Sequence, residues 1–189
     1  MVIKMPKAIH VEEHISIPEG VRVHVENLKI RVEGPKGTVE KDFSHARGVY
    51  ISLRDNEVIV EAYLANRRVK ALVGTIASHI ENMIIGVTRG FRYKLKIVYS
   101  HFPVTVVVDK ERGVVRIKNF LGEKADRIAK IYGNVDIRVE GDDVIVEGVN
   151  IEEVGLTAAS IERATRVRER DRRVFVDGIY IYERGVIGE

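Results

Sequence analysis

Six short stretches of the chain alternate apolar and polar residues: "VRVHVE" (21–26), "LKIRVE" (28–33), "TVEKDF" (38–43), "VTVVVD" (104–109), "GVVRIKN" (113–119) and "VDIRVE" (135–140). Alternation with a period of two predicts strands that cover one face and leave the other to water. Turn residues bound them, as in "EGPKGT" and "DKERG". Two other stretches repeat apolar residues every three or four positions. Val69, Leu72, Val73, Ile76 and Ile80 form one set, and Ile151, Val154, Ala158, Ile161 and Thr165 the other. Each spacing predicts a helix with a single buried stripe. Near the end, "RRVFVDGIYIY" predicts a β-hairpin turning at Asp177–Gly178, because Asp-Gly suits the type I′ turn that matches strand twist.

The pattern occurs twice. "YISLRDNEVIVEA" (50–62) resembles "DIRVEGDDVIVEG" (136–148), with Val58, Ile59, Val60 and Glu61 recurring 86 residues later as Val144, Ile145, Val146 and Glu147. The helical stripes after these segments are offset by 85, so one loop residue has been lost. The fold class expected is therefore α+β: two tandem duplicated domains, each a mostly antiparallel sheet covered by one main helix. The expected domains are 9–88 and 89–182, joined around Gly86–Gly90; the second carries an arginine-rich segment and the C-terminal hairpin.

Composition narrows the function classes. The chain has 189 residues, of which 45% are hydrophobic, enough for one ordinary domain or two small ones. Cysteine is absent, which excludes disulfides, thiolate metal sites and a cysteine nucleophile. No basic-then-apolar leader opens the chain, so a soluble, cytoplasmic protein is expected. A net charge of +3 is too small to identify a partner, so the placement of the charge matters more.

Placement is uneven. The second helix opens on Asn150 with Glu153 three residues on, a capping-box pattern with acids at the positive dipole end. The first opens on Arg67, Arg68 and Lys70, where a helix prefers acids. Neighbouring carboxylates would neutralise them, or an external phosphate would bind them together with the free helical N–H groups. Six arginines then crowd the end of the second helix: Arg163, Arg166, Arg168, Arg170, Arg172 and Arg173. One or two would complement the negative dipole end; six suggest paired bonds to phosphate oxygens. The alternative is self-pairing with Glu162, Glu169 and Asp171. Phe175, Tyr180 and Tyr182 either stack on unpaired bases or pack within the hairpin.

Three motifs invite an enzymatic reading and do not sustain one. "HVEEH" (10–14) has the spacing of one metallopeptidase class, but that chemistry needs a helix and the flanking residues alternate as in a strand. "GPKGT" (34–38) lacks the order of a nucleotide-binding loop and reads as a tight turn with Lys36 at its tip. Ser100 and His101 are adjacent, so on a strand they would point to opposite faces. No catalytic residue, metal, cofactor, membrane contact or small-molecule substrate is expected.

Taken together, "VEGPKGTVEKDF" (32–43), "VYSHFPVTV" (98–106), "NFLGE" (119–123), "EEVGLTAASIE" (152–162) and "RVRERDRRVFVDGIYI" (166–181) resemble the large-subunit ribosomal protein L-six family, in its archaeal and eukaryotic branch. The resemblance runs nearly end to end. It implies a structural ribosomal protein that binds large-subunit ribosomal RNA beside neighbouring large-subunit proteins. It also implies a position near the base of the acidic-protein stalk, close to where translational GTPases dock. Its second domain makes most of the RNA contact. Carried onto this chain, the resemblance marks Arg166, Arg168, Arg170, Arg172 and Arg173, and the helix face with Gly155, Thr157 and Ser160, as RNA-facing. Charge placement adds Arg163, Lys36, Arg67 and Arg68. A free-standing RNA- or protein-binding adaptor is the alternative.

Overall fold

In the computed structural model of the chain, residues 10–168, 170–171 and 173–188 are described. Ile9, the expected start of the first domain, and Glu169 and Arg172 lie outside the described residues. The chain forms two compact units, divided between Thr88 and Arg89.

The first unit runs β1 (His10–Ser16), β2 (Arg22–Glu26), β3 (Lys29–Gly34), β4 (Gly37–Asp42), β5 (Tyr50–Arg54), β6 (Glu57–Tyr63) and α1 (Arg67–Thr88). The second repeats that order as β7 (Phe91–Val98), β8 (Thr105–Asp109), β9 (Val114–Lys118), β10 (Arg127–Lys130), β11 (Val135–Glu140), β12 (Asp143–Gly148) and α2 (Ile151–Ala164). It then adds β13 (Gly178–Val186). The expected α+β duplication is present, with one difference. Each helix serves two small antiparallel sheets instead of one. In the first unit these are β1-β6-β5 and β2-β3-β4; in the second, β7-β12-β11 and β8-β9-β10 repeat both orders, and β13 extends the former beside β7. Short strands on a strongly twisted surface split in this way when a single helix must seal them all.

The helical stripes do what their spacing predicts. Val73, Ile76 and Ile80 of α1 are buried with Ile30, Val32, Val58 and Val60, while Val154, Ala158 and Ile161 of α2 are buried with Leu95, Val115, Ile117 and Val144. Helix α1 is long and apolar enough to cross a bilayer by length and composition. Here its apolar side instead closes the first unit's core, with Met83, Ile84 and Val87 buried as well.

The "GPKG" turn also docks on α1. Gly34 pairs with Gly37 across a two-residue turn at Pro35–Lys36, and Lys36 N–H donates to the Val87 carbonyl at 2.9 Å. A Cβ on Gly34 would lie 2.7 Å from Val87 Cγ2, so only glycine lets the turn approach the helix end this closely. Gly74, inside α1, has nothing within 4 Å of its Cβ position. Gly34→Ala is therefore expected to destabilise the chain by about 1–3 kcal/mol through forced repacking. Gly74→Ala is expected to stabilise it by roughly 0.5–1 kcal/mol through helix propensity. Denaturant midpoints of the two variants should move in opposite directions.

Candidate nucleic-acid interface

The second unit departs from the first at the end of its helix. Residues 165–177 leave the end of α2 and arrive at β13, and they are held at several points. Thr165 and Val167 are buried. The Thr165 hydroxyl donates to the Glu162 carbonyl at 3.1 Å and accepts from Ile179 N–H at 3.0 Å, tying the helix end to the strand.

Arg127 of β10 supplies a second tie. Its Nη1 donates to the carbonyls of Ala164 (3.0 Å) and Arg166 (3.1 Å), closing the exposed C-terminal carbonyls of α2 as a cation should. Glu123 receives Nε and Nη2 of the same guanidinium at 2.8 and 2.6 Å, and that hydrogen bonding holds the Glu123 carboxyl below its usual range. The guanidinium also lies 4.3 Å over the Phe120 ring. The "NFLGE" segment therefore has a physical purpose: a short 3-10 turn (Phe120–Gly122) buries Phe120 and aims Glu123 at Arg127. Leu121 takes a left-handed φ of 51° within it, a conformation that costs a non-glycine residue energy and persists only where packing enforces it.

Asp177 is the third tie, and here the expected hairpin is overturned. Residues 174–177 form no strand; β13 begins at Gly178 and pairs only with β7. Asp177 is no turn residue, being 1% exposed. Its carboxylate accepts from Ser100 N–H (2.8 Å), His101 N–H (3.2 Å), Ser100 Oγ (3.3 Å) and His101 Nδ1 (2.7 Å). Burial pushes this carboxyl up, but the converging donors outweigh it and hold it at about 2. The His101 ring stacks on Phe175 with centroids 4.5 Å apart, and the Arg170 guanidinium lies 4.8 Å over the other member of that stack, Phe175. Phe175 is thus a shelf for Arg170, not a free stacking platform.

Ser100 and His101 come after β7 in a bend instead of lying on a strand, so they do not point apart: Ser100 Oγ is 3.0 Å from His101 Nδ1. Ser, His and Asp are adjacent, yet the arrangement is not a catalytic triad. A triad places the carboxylate on one ring nitrogen and the hydroxyl on the other. Here both converge on Nδ1.

The predicted contacts sort into groups. Arg163, Arg166 and Arg168 are exposed, and among the described residues no ion pair holds them. With Ile128, Leu156, Ala159 and Tyr132 they surround a shallow groove between α2 and β10. Its apolar floor is open: Ile128 is 63% and Leu156 54% exposed. Lys130 Nζ lies 5.4 Å from the Tyr132 ring centroid. Neither β10 nor Tyr132, Leu156 and Ile128 was anticipated as part of this surface; the exposed apolar positions could have been found from the polar–apolar slip in "DRIAKIY". Arg173, by contrast, is paired with Asp171 at 2.8 Å, so self-pairing accounts for that arginine. Glu162 pairs with none of the described arginines; it accepts from Ile181 N–H at 3.4 Å.

Thr157 turns inward, while Ser160 is half-buried on the wall of that groove and spends its hydroxyl on the neighbouring strand. Thr157 is 0% exposed and its hydroxyl accepts from Tyr132 N–H at 3.0 Å; the Ser160 hydroxyl accepts from Lys130 N–H at 3.0 Å. Both stitch α2 to the end of β10. Gly155 faces Tyr93, 3.8 Å from its Cβ position. At the head of α2, Asn150 caps Glu152 N–H at 3.0 Å. Glu153 accepts from Asn134 N–H at 2.9 Å and from the Asn150 side-chain amide at 3.3 Å, so the expected capping box forms in an altered version.

In the first unit, α1 is capped by Asn66, whose Oδ1 accepts from Val69 N–H at 2.9 Å. Its first turn contains no acid. Arg67, Arg68 and Lys70 are exposed and stand in no ion pair among the described residues. Lys36 is exposed at its turn.

Two copies of one α+β unit, the second extended by a pinned arginine loop, define a duplicated scaffold protein. A family described as Ribosomal protein L6 matches residues 17–90 and 102–178, one copy over each unit. The chain is similar to the large ribosomal subunit protein uL6 of Desulfurococcus amylolyticus, 67% identical over 96% of this chain and 98% of that protein. It is also similar to that of Staphylothermus marinus, 61% identical over 96% and 98%, and to that of Aeropyrum pernix, 58% identical over 97% and 100%. The chain belongs to the ribosomal protein L6 family and is a structural, non-enzymatic component of the large ribosomal subunit.

The buried Asp177 carries a prediction. Its folded-state pKa of about 2 lies below the unfolded value near 3.9, so its contribution is fully present above about pH 4. That contribution is lost as pH falls from about 4 toward 2, and amounts to roughly 2–3 kcal/mol. Asp177→Asn is expected to lower stability by a similar amount at neutral pH and to flatten acid unfolding in that window. Chemical denaturation at pH 7, 4 and 2.5 measures both.

Proposed function

We propose that the second unit grips folded large-subunit ribosomal RNA across the groove between α2 and β10. Arg163, Arg166 and Arg168 engage phosphates, while Ile128, Leu156 and Tyr132 meet sugar edges or an unpaired base. The carrying observation is that these three arginines are exposed, and in no ion pair among the described residues, although their backbone is pinned by Arg127, Thr165 and Val167. Guanidinium groups on a fixed backbone lose little entropy on binding, and their planar forks match phosphate oxygens. Surface shape and phosphate spacing are then read in preference to base sequence.

Arg170 joins this surface by virtue of its seat on Phe175, and Arg67 and Arg68, with the free N–H groups of α1, form a second phosphate contact in the first unit. Lys36 adds a single cation at its turn. The family resemblance further supports a place near the stalk base, beside the docking region of translational GTPases and in contact with neighbouring large-subunit proteins in the cytoplasmic ribosome.

Replacing Arg163, Arg166 and Arg168 together with alanine is expected to weaken binding to purified large-subunit RNA. The salt dependence of log K should become shallower by about two to three, close to one per lost phosphate contact. Arg173→Ala, which removes an arginine already paired with Asp171, should change the slope little. Filter binding across a salt series checks this; equal slopes for the triple variant and the native chain would move the interface elsewhere. Sedimentation of lysate at moderate salt separates the ribosomal role from that of a free adaptor, which would stay unbound.

A further inference from the structure

The "HVEEH" motif lies on β1 and not on a helix, which removes the metallopeptidase arrangement but creates another. On a strand, His10, Glu12 and His14 share one face. Glu12 pairs directly with Glu61 of β6, His10 with Tyr63 and Ser16 with Glu57. The side chains form a continuous ladder. His14 Nδ1 is 3.0 Å from Glu57 Oε2 and His14 Nε2 is 3.8 Å from Glu12 Oε1. His10 Nδ1 is 3.8 Å from Glu12 Oε2, and His10 Nε2 is 3.0 Å from Glu61 Oε2.

Two carboxylates directly opposite on neighbouring strands repel; hydrogen bonding to His10 is the main influence that holds the Glu61 carboxyl below its usual range. Arg54 of β5, paired with Glu57 in the sheet, adds a weaker attraction to Glu61. The ladder is also braced from behind. The Tyr63 ring stacks on His10 with centroids 4.8 Å apart and planes at 16°, and the Tyr63 hydroxyl donates to Glu61 Oε2 at 3.1 Å. This fixes the orientation of both the imidazole and the carboxylate, as supporting partners do around metal ligands.

We propose that this face of the β1–β6 pair is a binding site for a divalent transition-metal ion of the zinc type, with His10, Glu12 and Glu61 as protein ligands. One ligand atom from each residue falls within 4.8 Å of the others. Ligands of a tetrahedral zinc stand about 3.3 Å apart given bonds of about 2.0–2.1 Å. Glu61 Oε2 and His10 Nε2 are already near that separation; exposed Glu12, which now meets the other ring nitrogen Nδ1, reaches the same ion by side-chain rotation to the Nε2 side. One nitrogen and two carboxylate oxygens suit zinc, leaving a position for water or an outside ligand. The ion would neutralise the opposed pair and cross-link the first and last strands of the unit. This site lies in the first unit and is independent of the proposed RNA groove.

Calorimetric titration of the purified full-length chain with zinc chloride, in phosphate-free buffer, tests the site. One saturable equivalent is expected, reversed by EDTA. His10→Ala and Glu61→Gln should each weaken it at least about tenfold, whereas His45→Ala, at an exposed histidine outside the ladder, should not. Far-UV circular dichroism establishes that each variant is folded. The ring resonances of His10 should shift with zinc in the native chain, giving a readout that needs no substitution. Absence of saturable binding overturns the proposal. So does a loss confined to one of the two ligand variants, or an equal loss in His45→Ala, which would mark scattered surface binding.

Discussion

A single buried carboxylate decides how the second unit presents its charge. Asp177 collects four donors from Ser100 and His101, and by orienting His101 it sets the stack on which Phe175 and then Arg170 rest. A buried anion is costly unless every lone pair is answered. Here the answering groups lie 76 and 77 residues earlier in the chain, so satisfying Asp177 requires that the bend after β7 and the start of β13 be brought together. The ends that bracket the arginine segment, Thr165 and Asp177, are thereby held in place.

Duplication explains why this arrangement could arise. Strand order in the first six strands is the same in both units, so the arginine loop and β13 lie outside the shared scaffold. What the second unit adds is confined to the region after its helix, together with the Arg127 clamp that faces it. The first unit keeps the bare form: its helix ends at Thr88, and among the described residues no strand returns along β1. Within that region the two tasks fall to different side chains: buried Thr165, Val167 and Asp177 tie it down, and the exposed arginines carry its charge.

The sequence made the strands, the two helices and the repeat legible because each has its own period, and tertiary packing did not oppose it. It failed at Asp177–Gly178. Asp-Gly is a strong local hairpin signal, but local chemistry could not foresee a distant bend offering four donors to the aspartate. Thr157, buried against Tyr132 instead of exposed, illustrates a related difficulty. Small polar residues on a helix are equally suited to outside contact and to stitching a neighbouring strand end, and only the position of β10 distinguishes the two. Six arginines were conspicuous in the sequence, whereas the division into the exposed Arg163, Arg166 and Arg168, the seated Arg170 and the self-paired Arg173 depends on three-dimensional neighbours. The apolar floor of the groove was missed because exposed Ile128 and Leu156 look like core residues until burial is known.

The unequal edges of the two related sheets result from β13. In the second unit, β7 has its outer side occupied by β13 along eight residue pairs. In the first, the corresponding strand β1 is terminal in its sheet among the described residues, so its outer edge has no strand partner among them. That edge is accompanied by His10, Glu12, Glu13 and His14, ionisable side chains that discourage a foreign strand from adding on. One copy solved the problem of stray self-association by covering its border, and the other by making the border inhospitable.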